Sequence, residues 1–315
     1  MTVGTFLGAC GLDLVFGDPR RFPHPVRGIG GLIEWGHGRF AGACTSHPVA
    51  AKVSGSIVAV GLPAASALVV WSAIRAADLV NVAALIEMLF AFWALAARDL
   101  ADHAWKVSDA LNQGRTEEAR RAVGLIVGRD TAALPEPEIV RATVETVAES
   151  SCDGIVAPIF FLAIGGAPLA WAYKTINTLD SMIGHREFPY RDIGWGSARV
   201  DDAMNWIPAR LTAMLIIAAA GVRFASLRRL REGWRTLIDD GGNHPSPNSG
   251  RPEAAMAGVL GVQLGGTNWY EGRPESRPAI GTAREPMTAA RITEAVCLMW
   301  IVFMMAALLA CWVLW

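Results

Sequence analysis

The chain alternates between long apolar runs and longer polar segments. Residues 53–74 contain no charged side chain, 79–97 contain only Glu87, and 295–315 contain none. Each run approaches the roughly 20 residues that a helix needs to cross a lipid bilayer. Because only a short link separates the first two runs, they predict a helical hairpin, and the third run predicts a last membrane helix.

Three further apolar runs are less regular. The run 3–16 is short and contains Asp13, the run 155–173 is interrupted by a Gly-Gly-Ala-Pro sequence, and the run 211–222 is shorter still. A helix of that last length spans about 18 Å, which is less than the ~30 Å hydrocarbon core. We expect a short span or buried helix at residues 3–16. The other two runs predict incomplete membrane elements, re-entrant or buried against other helices.

Polar segments separate these runs, and they predict helices and loops. A threonine followed by two glutamates at 116–118 is typical of a helix start, and 136–151 predicts another helix. The parts 239–250 and 265–286 are rich in Gly, Pro, Asn and Ser, which predicts loops, with a short helix at 253–260 between them. The polar segments are 17–52, 98–154, 174–210 and 223–294.

This pattern predicts an all-α polytopic membrane protein, with spanning helices, broken or re-entrant membrane helices, and cytoplasmic helical and loop segments that form the active site. We expect a single integral membrane domain over residues 1–315. If neither incomplete run crosses the bilayer, every Lys and Arg except Arg75 lies on one face. The positive-inside rule assigns that face to the cytoplasm, so we expect an inner-membrane protein whose site faces the cytoplasm.

Composition and charge agree with a lipid environment. The chain is 52% hydrophobic and 18% charged with a net charge of −1, whereas soluble domains carry roughly 25% charged residues. This excludes a disordered chain and a highly charged nucleic-acid binder, and we expect no nucleic-acid partner. The five cysteines form no Cys-x-x-Cys pair, which argues against a zinc site or a disulfide framework.

The densest polar cluster follows the run 155–173 directly. On a helix, Lys174, Asn177, Asp180 and Ser181 share one face because they are three or four residues apart. Ionisable groups near membrane depth are costly and are usually functional. An interfacial helix with a snorkelling lysine is the alternative interpretation.

Two acidic clusters are candidate metal or base sites. Asp201 and Asp202 are adjacent, with Asn205 one turn later, and such oxygen ligands suit Mg²⁺ when phosphate completes its coordination. The alternative is a solvated helix start in which Arg199 pairs with Asp202. The second cluster contains Glu145, Glu149 and Asp153, where either Arg141 or a bound cation offsets the like charges.

Three loops carry further candidate residues. The prolines of 19–25 predict an extended backbone that holds Asp18, His24 and Arg27 near the membrane. A lone histidine is more often structural than catalytic. The segment 244–250 precedes a predicted helix and supplies His244, Ser246 and Asn248 for an anion site, with an ordinary capped turn as the alternative. Arg129 lies in a similar small loop and can bind phosphate.

Together these stretches closely resemble the CobD/CbiB family, the adenosylcobinamide-phosphate synthases of cobalamin biosynthesis. Seven blocks occur in the family's order, from the first apolar run to beyond residue 260. They are GDPRRFPHPVRGIG (17–30), RDLADHA (98–104), VGRDT (127–131), VETVAESSCDGIVAPIFF (144–161), YKTINTLDSMIG (173–184), SARVDDAMNWIPARLTA (197–213) and HPSPNSGRPEAAMAGVLGVQLGG (244–266).

The resemblance implies a multi-pass membrane ligase. It implies that ATP and Mg²⁺ are used to join adenosylcobyric acid to aminopropanol phosphate through an amide bond, by way of an acyl phosphate. The corrinoid cobalt then belongs to the substrate and needs no ligand from this chain. The implied partners are these substrates, the lipid bilayer and other membrane enzymes of the cobalamin pathway.

With that reaction as a hypothesis, the candidate residues take roles that are our own inference. Asp201 and Asp202 hold Mg²⁺, and Lys174 binds the ATP phosphate. Asp180 is a second metal ligand or the acceptor of the amine proton, and Glu149 and Asp153 are alternatives for metal or base. The remaining candidates contact or orient substrate and are His24, Arg27, Arg129, Asn177, Asn205, Arg210, His244, Ser246 and Asn248.

Two other functions stay open at this stage. Ionisable residues beside broken membrane helices also suit a transporter or channel, although the sequence shows no internal repeat. A non-catalytic membrane sensor or scaffold of the same superfamily is the other alternative, although it would need no nucleotide-binding polar clusters.

Overall fold

The structure is a computed structural model that describes residues 1–18, 24–44, 47–184 and 190–315. Its elements in chain order are α1 (Val3–Phe16), α2 (Pro25–Cys44), α3 (Pro48–Asp78), α4 (Ala83–Ala94), α5 (Ala97–Asn112), α6 (Thr116–Val123), α7 (Glu136–Ser151), α8 (Ala157–Ile183), α9 (Trp195–Met204), α10 (Trp206–Phe224), α11 (Leu227–Asp240), α12 (Gly250–Leu260), β1 (Gln263–Tyr270), β2 (Arg273–Gly281) and α13 (Ala289–Leu314).

The described chain forms two compact units. The first contains residues 1–96, 157–205 and 307–315, and the second contains 97–156 and 206–306. The candidate residues are therefore described within one unit or the other.

Within the described residues, four helical stretches are long and apolar enough to cross a membrane. They are Pro48–Asp78, Glu136–Ile183, Trp206–Phe224 and Ala289–Leu314. The first and last confirm the helices predicted at 53–74 and 295–315. Length and composition thus make this an all-α polytopic membrane protein, with one small β-hairpin.

The second arm of the predicted hairpin is shorter than expected. Within the run 79–97 only α4 is helical, over 12 residues. A tight turn with Asn81 at a φ of 59° precedes it, and Leu95 is extended after it. A helix of this length is about 18 Å long, so the prediction of a spanning helix at 79–97 was wrong.

The predicted break in the run 155–173 is confirmed. Gly166 in α8 has a φ of 65° and a ψ of −165°, and Pro168 follows it inside the helix. A positive φ suits glycine because a side chain would clash there. The helix resumes after this break and carries the polar cluster of residues 174–181.

The run 211–222 belongs to a longer helix than predicted. The helix α10 has 19 residues, which corresponds to about 28 Å. Half of its most apolar window is buried inside the structure, where α10 packs on α11 and α12. The packing agrees with the expected contact with other helices, but the prediction of an element too short to cross the bilayer was wrong.

In the first unit, α8 packs on α2, α3, α4 and α9. Glycines permit the closest approaches: a Cβ at Gly55 would lie 1.9 Å from the carbonyl oxygen of Ile193, and one at Gly196 would lie 2.6 Å from the Cα of Ser56. The Trp171 indole N–H of α8 donates to the carbonyl of Phe90 in α4 at 2.8 Å. The glycine contacts hold α9 and the residues before it against α3, and the indole bond joins α8 to α4.

In the second unit, α12 is the central helix and is buried along most of its length. It packs against α7, α10 and α11. A Cβ at Gly258 would lie 2.6 Å from the carbonyl oxygen of Glu232 and 2.8 Å from the Cα of Gly233, so glycine on both helices allows the backbones to meet.

The loops predicted at 265–286 are largely a β-hairpin. The strands β1 and β2 pair antiparallel, with a bulge between Leu264 and Gly266. Gly265 and Gly266 have φ values of 77° and 86°, and Gly272 in the turn has 75°. Glycine-rich strands with a bulge lack the alternating apolar pattern that identifies strands in a sequence, which is why the prediction of loops was wrong here.

Two helix starts also differ from the sequence prediction. The backbone predicted to be extended over 19–25 can be compared only at its end, where α2 begins at Pro25, and proline is favoured in the first turn of a helix. Residues 19–23 lie outside the described chain. The helix predicted at 253–260 begins three residues earlier, at Gly250.

Candidate active site

The sequence candidates fall into two groups, one in each compact unit. The first unit contains His24, Arg27, Lys174, Asn177, Asp180, Asp201, Asp202 and Asn205. The second unit contains Arg129, Glu149, Asp153, Arg210, His244, Ser246 and Asn248.

The polar face of α8 is formed as predicted. Lys174, Asn177 and Asp180 lie in one uninterrupted part of the helix and are all half-buried. Gly184 allows the Asp180 side chain to lie against the backbone, since a Cβ there would be 1.9 Å from Asp180 Oδ1. The face thus offers a cation, an amide and a carboxylate within two helical turns.

A buried hydrogen-bond chain joins α8 to α9. The Tyr173 hydroxyl donates to Asn205 Oδ1 at 3.0 Å, and Asn205 Nδ2 donates to Asp201 Oδ2 at 3.0 Å. Asn205 is 2% exposed, and the Tyr173 ring stacks on Phe161 with centroids 4.8 Å apart. Asn205 therefore positions the Asp201 carboxylate rather than acting as an exposed substrate ligand.

Asp202 is held separately, with its carboxylate 3.8 Å from the Arg199 guanidinium. This is the pairing that the alternative interpretation of the cluster expects. Within residues 1–18, 24–44, 47–184 and 190–315, no group of three or more His, Cys, Asp or Glu side chains is arranged around one metal site. The two carboxylates can bind Mg²⁺ only if phosphate and water oxygens complete its octahedral coordination, which is common for this ion.

His24 is tied to the backbone at its ring. Its Nδ1 accepts the N–H of Val26 at 3.2 Å, and the ring also bonds to the backbone of Trp93. Burial lowers the pKa of His24, and the nearby positive charges of Lys174 and Arg27 lower it further while Asp18 opposes them. A neutral His24 fixed in this way has a structural role, and Arg27 lies 3.7 Å from Asp18.

In the second unit, the loop before α12 contacts α7. The Ser249 hydroxyl donates to Glu149 Oε1 at 2.9 Å. His244 Nδ1 accepts the N–H of Ser246 at 3.0 Å, which leaves the proton of a neutral ring on Nε2. Burial is the main cause that lowers the pKa of His244, so this histidine is a neutral hydrogen-bond donor near Glu149.

The segment 244–250 is a capped turn. Ser246 Oγ accepts the backbone N–H groups of Asn248 at 3.2 Å and Ser249 at 3.3 Å. These two donors are therefore used within the loop, as the alternative interpretation of this segment expects. Asn248 is 4% exposed and belongs to the packed interior of the turn.

Glu253 is a buried acid that the sequence analysis did not select. It lies in the first turn of α12 and is 5% exposed. Burial raises the pKa of Glu253 well above 4.5, and the carboxylates of Glu149 and Glu145 raise it further. The residue therefore carries a proton beside Glu149. A carboxylate in the otherwise apolar sequence of α12 was the signal that could have identified it.

Arg129 and Glu145 belong to a buried network that fastens the hairpin to α7. The guanidinium of Arg129 bonds to Glu145 and to Asn268 of β1. Arg141 bonds to Glu145 Oε1 at 2.9 Å and to Asn268 Oδ1 at 2.9 Å. Because the Arg129 side chain is 7% exposed, the main role of its guanidinium is to make the hydrogen bonds of this network.

A cleft of about 1270 Å³ opens beside that network. Its walls are mainly apolar, and Arg129 and Arg141 are among the residues that line it. Trp269 lines it and is 47% exposed. The volume exceeds the roughly 300–1,000 Å³ of common small-molecule sites, so the cleft can hold a large ligand that presents both apolar surface and hydrogen-bonding groups.

Two candidates of the second unit lie at helix ends. Asp153 is half-buried in a π-helical turn, Cys152–Val156, that follows α7. Such turns occur frequently at functional sites. Arg210 stacks over the ring of Trp206 at 4.1 Å and donates to the Trp206 carbonyl at 2.7 Å.

Comparison with known proteins gives matches along nearly the whole chain. The sequence model of the family described as CobD/Cbib protein matches residues 6–299. The cobalamin biosynthesis protein CobD of Geobacter metallireducens is 50% identical over 88% of this chain and 86% of that protein. CobD of Photorhabdus laumondii is 44% identical over 98% and 96%, and CbiB of Salmonella typhimurium is 42% identical over 96% and 94%. No solved structure is significantly similar.

Proposed function

The chain belongs to the CobD/CbiB family, and from that premise we propose that it is a membrane enzyme of cobalamin biosynthesis. The observation that carries the proposal is the match over nearly the full length to relatives named cobalamin biosynthesis proteins. We propose that it forms the amide bond between adenosylcobyric acid and aminopropanol phosphate, with ATP as co-substrate and Mg²⁺ as cofactor.

The proposed reaction has two steps. The corrinoid carboxylate attacks the γ-phosphorus of ATP, which gives an acyl phosphate and releases ADP. The amine, after loss of a proton from its ammonium form, attacks the acyl carbon, the C–O bond to phosphate breaks, and inorganic phosphate leaves. Such transfers depend on positioning and on charge neutralisation more than on covalent participation of the protein.

In this proposal the residues of the first unit bind the phosphates of ATP. Lys174 contacts a phosphate oxygen, and Asp201 and Asp202 would hold Mg²⁺, which supplies charge neutralisation when bound. The Tyr173–Asn205 hydrogen bonds orient Asp201 for that purpose. Asp180, one turn beyond Asn177 on the same helix face, is the alternative proton acceptor.

In the second unit, Glu149 is the proposed base for the amine. It accepts a hydrogen bond from Ser249 and lies near Glu253, whose raised pKa keeps that residue protonated. Two neighbouring carboxyl groups in different surroundings can divide the roles of proton donor and proton acceptor. The neutral His244 would donate a hydrogen bond to the substrate from Nε2.

The cleft beside the hairpin is the proposed site for part of the corrinoid. Its apolar walls suit the faces of a tetrapyrrole, and Trp269 offers an aromatic surface. Binding is tested with cobyric acid in the absence of ATP. Trp269→Ala should weaken binding about tenfold, whereas Trp234→Ala, which is 46% exposed on α11, is a control that should bind with wild-type affinity.

The reaction is tested with the purified chain in detergent, supplied with ATP, Mg²⁺, adenosylcobyric acid and aminopropanol phosphate. ADP and the amide product are expected in equal amounts. A folded protein that releases neither would reject the ligase proposal, and substrate flux without ATP turnover would favour a transporter.

The metal assignment has its own test. Asp201→Asn and Asp202→Asn should raise the Mg²⁺ concentration needed for half-maximal activity by about tenfold or abolish turnover, because each removes a charged oxygen ligand. Asp239→Asn is the matched control, since Asp239 is exposed on α11 and pairs with Arg235 at 3.4 Å. An unchanged Mg²⁺ requirement in both variants would remove the two carboxylates from the metal site.

A further inference from the structure

Two arginines of the second unit lie near the starts of two helices that pack on each other, α10 and α12. Arg210 is in the first turns of α10 and Arg251 is in the first turn of α12, and the charge of Arg251 acts on Arg210. Among the residues that the structure describes, neither side chain is within ion-pair distance of a carboxylate. Like charges that are close in a partly desolvated place destabilise each other unless an anion offsets them.

The guanidinium of Arg251 also has a buried donor that is unused. Its Nε is buried and has no hydrogen-bond acceptor within the described chain, and the side chain lies along the loop after α11, where a Cβ at Gly241 would be 3.3 Å from Arg251 Cδ. Buried N–H groups are almost always satisfied, so an exception indicates a water or an anion.

Arg210 is held in a fixed orientation. Its stacking on Trp206 and its hydrogen bond to the Trp206 carbonyl use one nitrogen and one face of the guanidinium. The other N–H groups remain available. Arginine presents several donors in a planar fork that matches the oxygens of a phosphate group.

We propose that Arg210 and Arg251 together bind a phosphate group at the first turns of α10 and α12. The pair supplies two positive charges and a buried donor, and this combination fits a phosphate group bearing two negative charges. The identity of the molecule that bears this phosphate rests on the proposed function, which makes it either aminopropanol phosphate or ATP. Both share the same binding chemistry.

The test measures phosphate binding directly on the full chain in detergent. Inorganic phosphate, phosphoethanolamine and a non-hydrolysable ATP analogue are titrated separately, without corrinoid. Arg251→Gln and Arg210→Gln should each weaken binding of inorganic phosphate at least about tenfold, because each removes charge-assisted hydrogen bonds. If the same substitutions also weaken the binding of phosphoethanolamine, the site binds the phosphate of the amine substrate. If they weaken the binding of the ATP analogue, it binds a phosphate of ATP.

Thermal unfolding separates a binding role from a structural one. Phosphate should raise the melting temperature of the wild type but not of Arg251→Gln, and the variant without phosphate should be at least as stable as the wild type because the repulsion is gone. Arg210→Lys keeps the charge but loses the fork, and should bind with intermediate affinity. Arg231→Gln, exposed on α11, is the matched control with wild-type binding.

The outcomes are separable from those of the ligase assay. Phosphate affinity that stays within about twofold of wild type in both glutamine variants would overturn the arginine site, even if the amide product forms. Phosphate binding that depends on both arginines, in a protein that forms no amide, would support the site and reject the proposed function.

Discussion

At the residue scale, the buried acids of the second unit are the most informative. Glu145 accepts hydrogen bonds from two arginines and from the Gly265 N–H at 2.8 Å, so its charge is compensated. For Glu253, in the neighbouring helix, burial and the nearby carboxylates of Glu149 and Glu145 raise the pKa, and the charges of Arg277 and Arg129 oppose them.

Glu253 should make stability depend on pH. Because its folded-state pKa is raised above the ordinary value of 4.5, the stability that Glu253 contributes is fully present below the unfolded pKa and is lost as the pH rises through the folded pKa. Glu253→Gln cannot titrate, so its melting temperature should fall less than that of the wild type as the pH rises above 4.5. Thermal unfolding across this range measures the difference.

The matched control is Glu271→Gln in the exposed hairpin turn, which should follow the wild-type profile. A Glu253→Gln profile that is parallel to the wild type would show that Glu253 is charged in the folded protein. It would also remove this residue from the proposed proton path.

At the element scale, the hairpin depends on α7 for its place. Arg141 reaches the carbonyls of Gly265 and Thr267 on the outer edge of β1, and the Asp130 N–H donates to the Trp269 carbonyl at 2.7 Å. The carboxylate of Asp130 accepts the N–H groups of the turn, from Glu271 at 3.2 Å and Gly272 at 2.8 Å. A two-stranded sheet alone is marginally stable, so these bonds keep the wall of the cleft in place.

Glu145→Gln should weaken this attachment. It leaves the Arg129 and Arg141 guanidiniums without their shared carboxylate, and breaking a buried pair in this way costs about 3–5 kcal/mol. We expect a lower melting temperature together with faster proteolysis within β1 and β2. Glu118→Gln, which removes an exposed pair with Arg115, should cost less than about 1 kcal/mol. Equal effects of the two substitutions would contradict a buried anchoring role.

The break in α8 is the second feature of this scale. Gly166→Ala should destabilise the protein by about 1–2 kcal/mol, because a side chain is strained at its positive φ, and the new Cβ would lie 2.9 Å from Glu87 Oε1. Gly61→Ala in α3 meets nothing within 4 Å and should instead stabilise by about 0.5–1 kcal/mol. Melting temperatures in detergent measure both. A Gly166→Ala variant with the melting temperature of the wild type would mean that the backbone at the break relaxes without cost.

The sequence predicts the helical elements well where the pattern is local. The spacing at 174–181 and the Gly-Gly-Ala-Pro break specify a helix face and a kink without help from distant residues. The hairpin could not be predicted, because a glycine bulge and bonds from Arg141 and Asp130 determine it, and these residues are more than a hundred positions away. The sequence did not identify Glu253 as a site residue for a related reason, since its neighbours Glu145 and Glu149 come from another helix.

At the scale of the whole molecule, the distribution of basic residues predicts the orientation in the membrane. The segment 174–210 carries α9 and the polar half of α8, and if neither α8 nor α10 crosses the bilayer we expect this segment on the cytoplasmic side and the turn before α4 on the opposite side. This expectation follows from the positive-inside rule, and it is required if Lys174 is to meet cytoplasmic ATP.

Labelling of single cysteines in intact cells tests this orientation. In a chain whose own cysteines are replaced, Ala203→Cys, which is exposed in α9, should resist an impermeant thiol reagent until the cells are opened. Leu79→Cys is the matched position, 85% exposed, and should be labelled from outside. Labelling of Ala203→Cys in intact cells would reverse the orientation and place the α8 cluster away from the nucleotide.

The occupied outer edge of β1 has a consequence for the protein when it is overproduced. Open strand edges recruit strands of other molecules and start aggregation, but here three successive outward carbonyls, those of Gly265, Thr267 and Trp269, already accept bonds from the same chain. A strand of another molecule therefore cannot pair with these carbonyl groups along this stretch. The β1 edge of the hairpin is therefore closed to strand addition from another molecule along these residues.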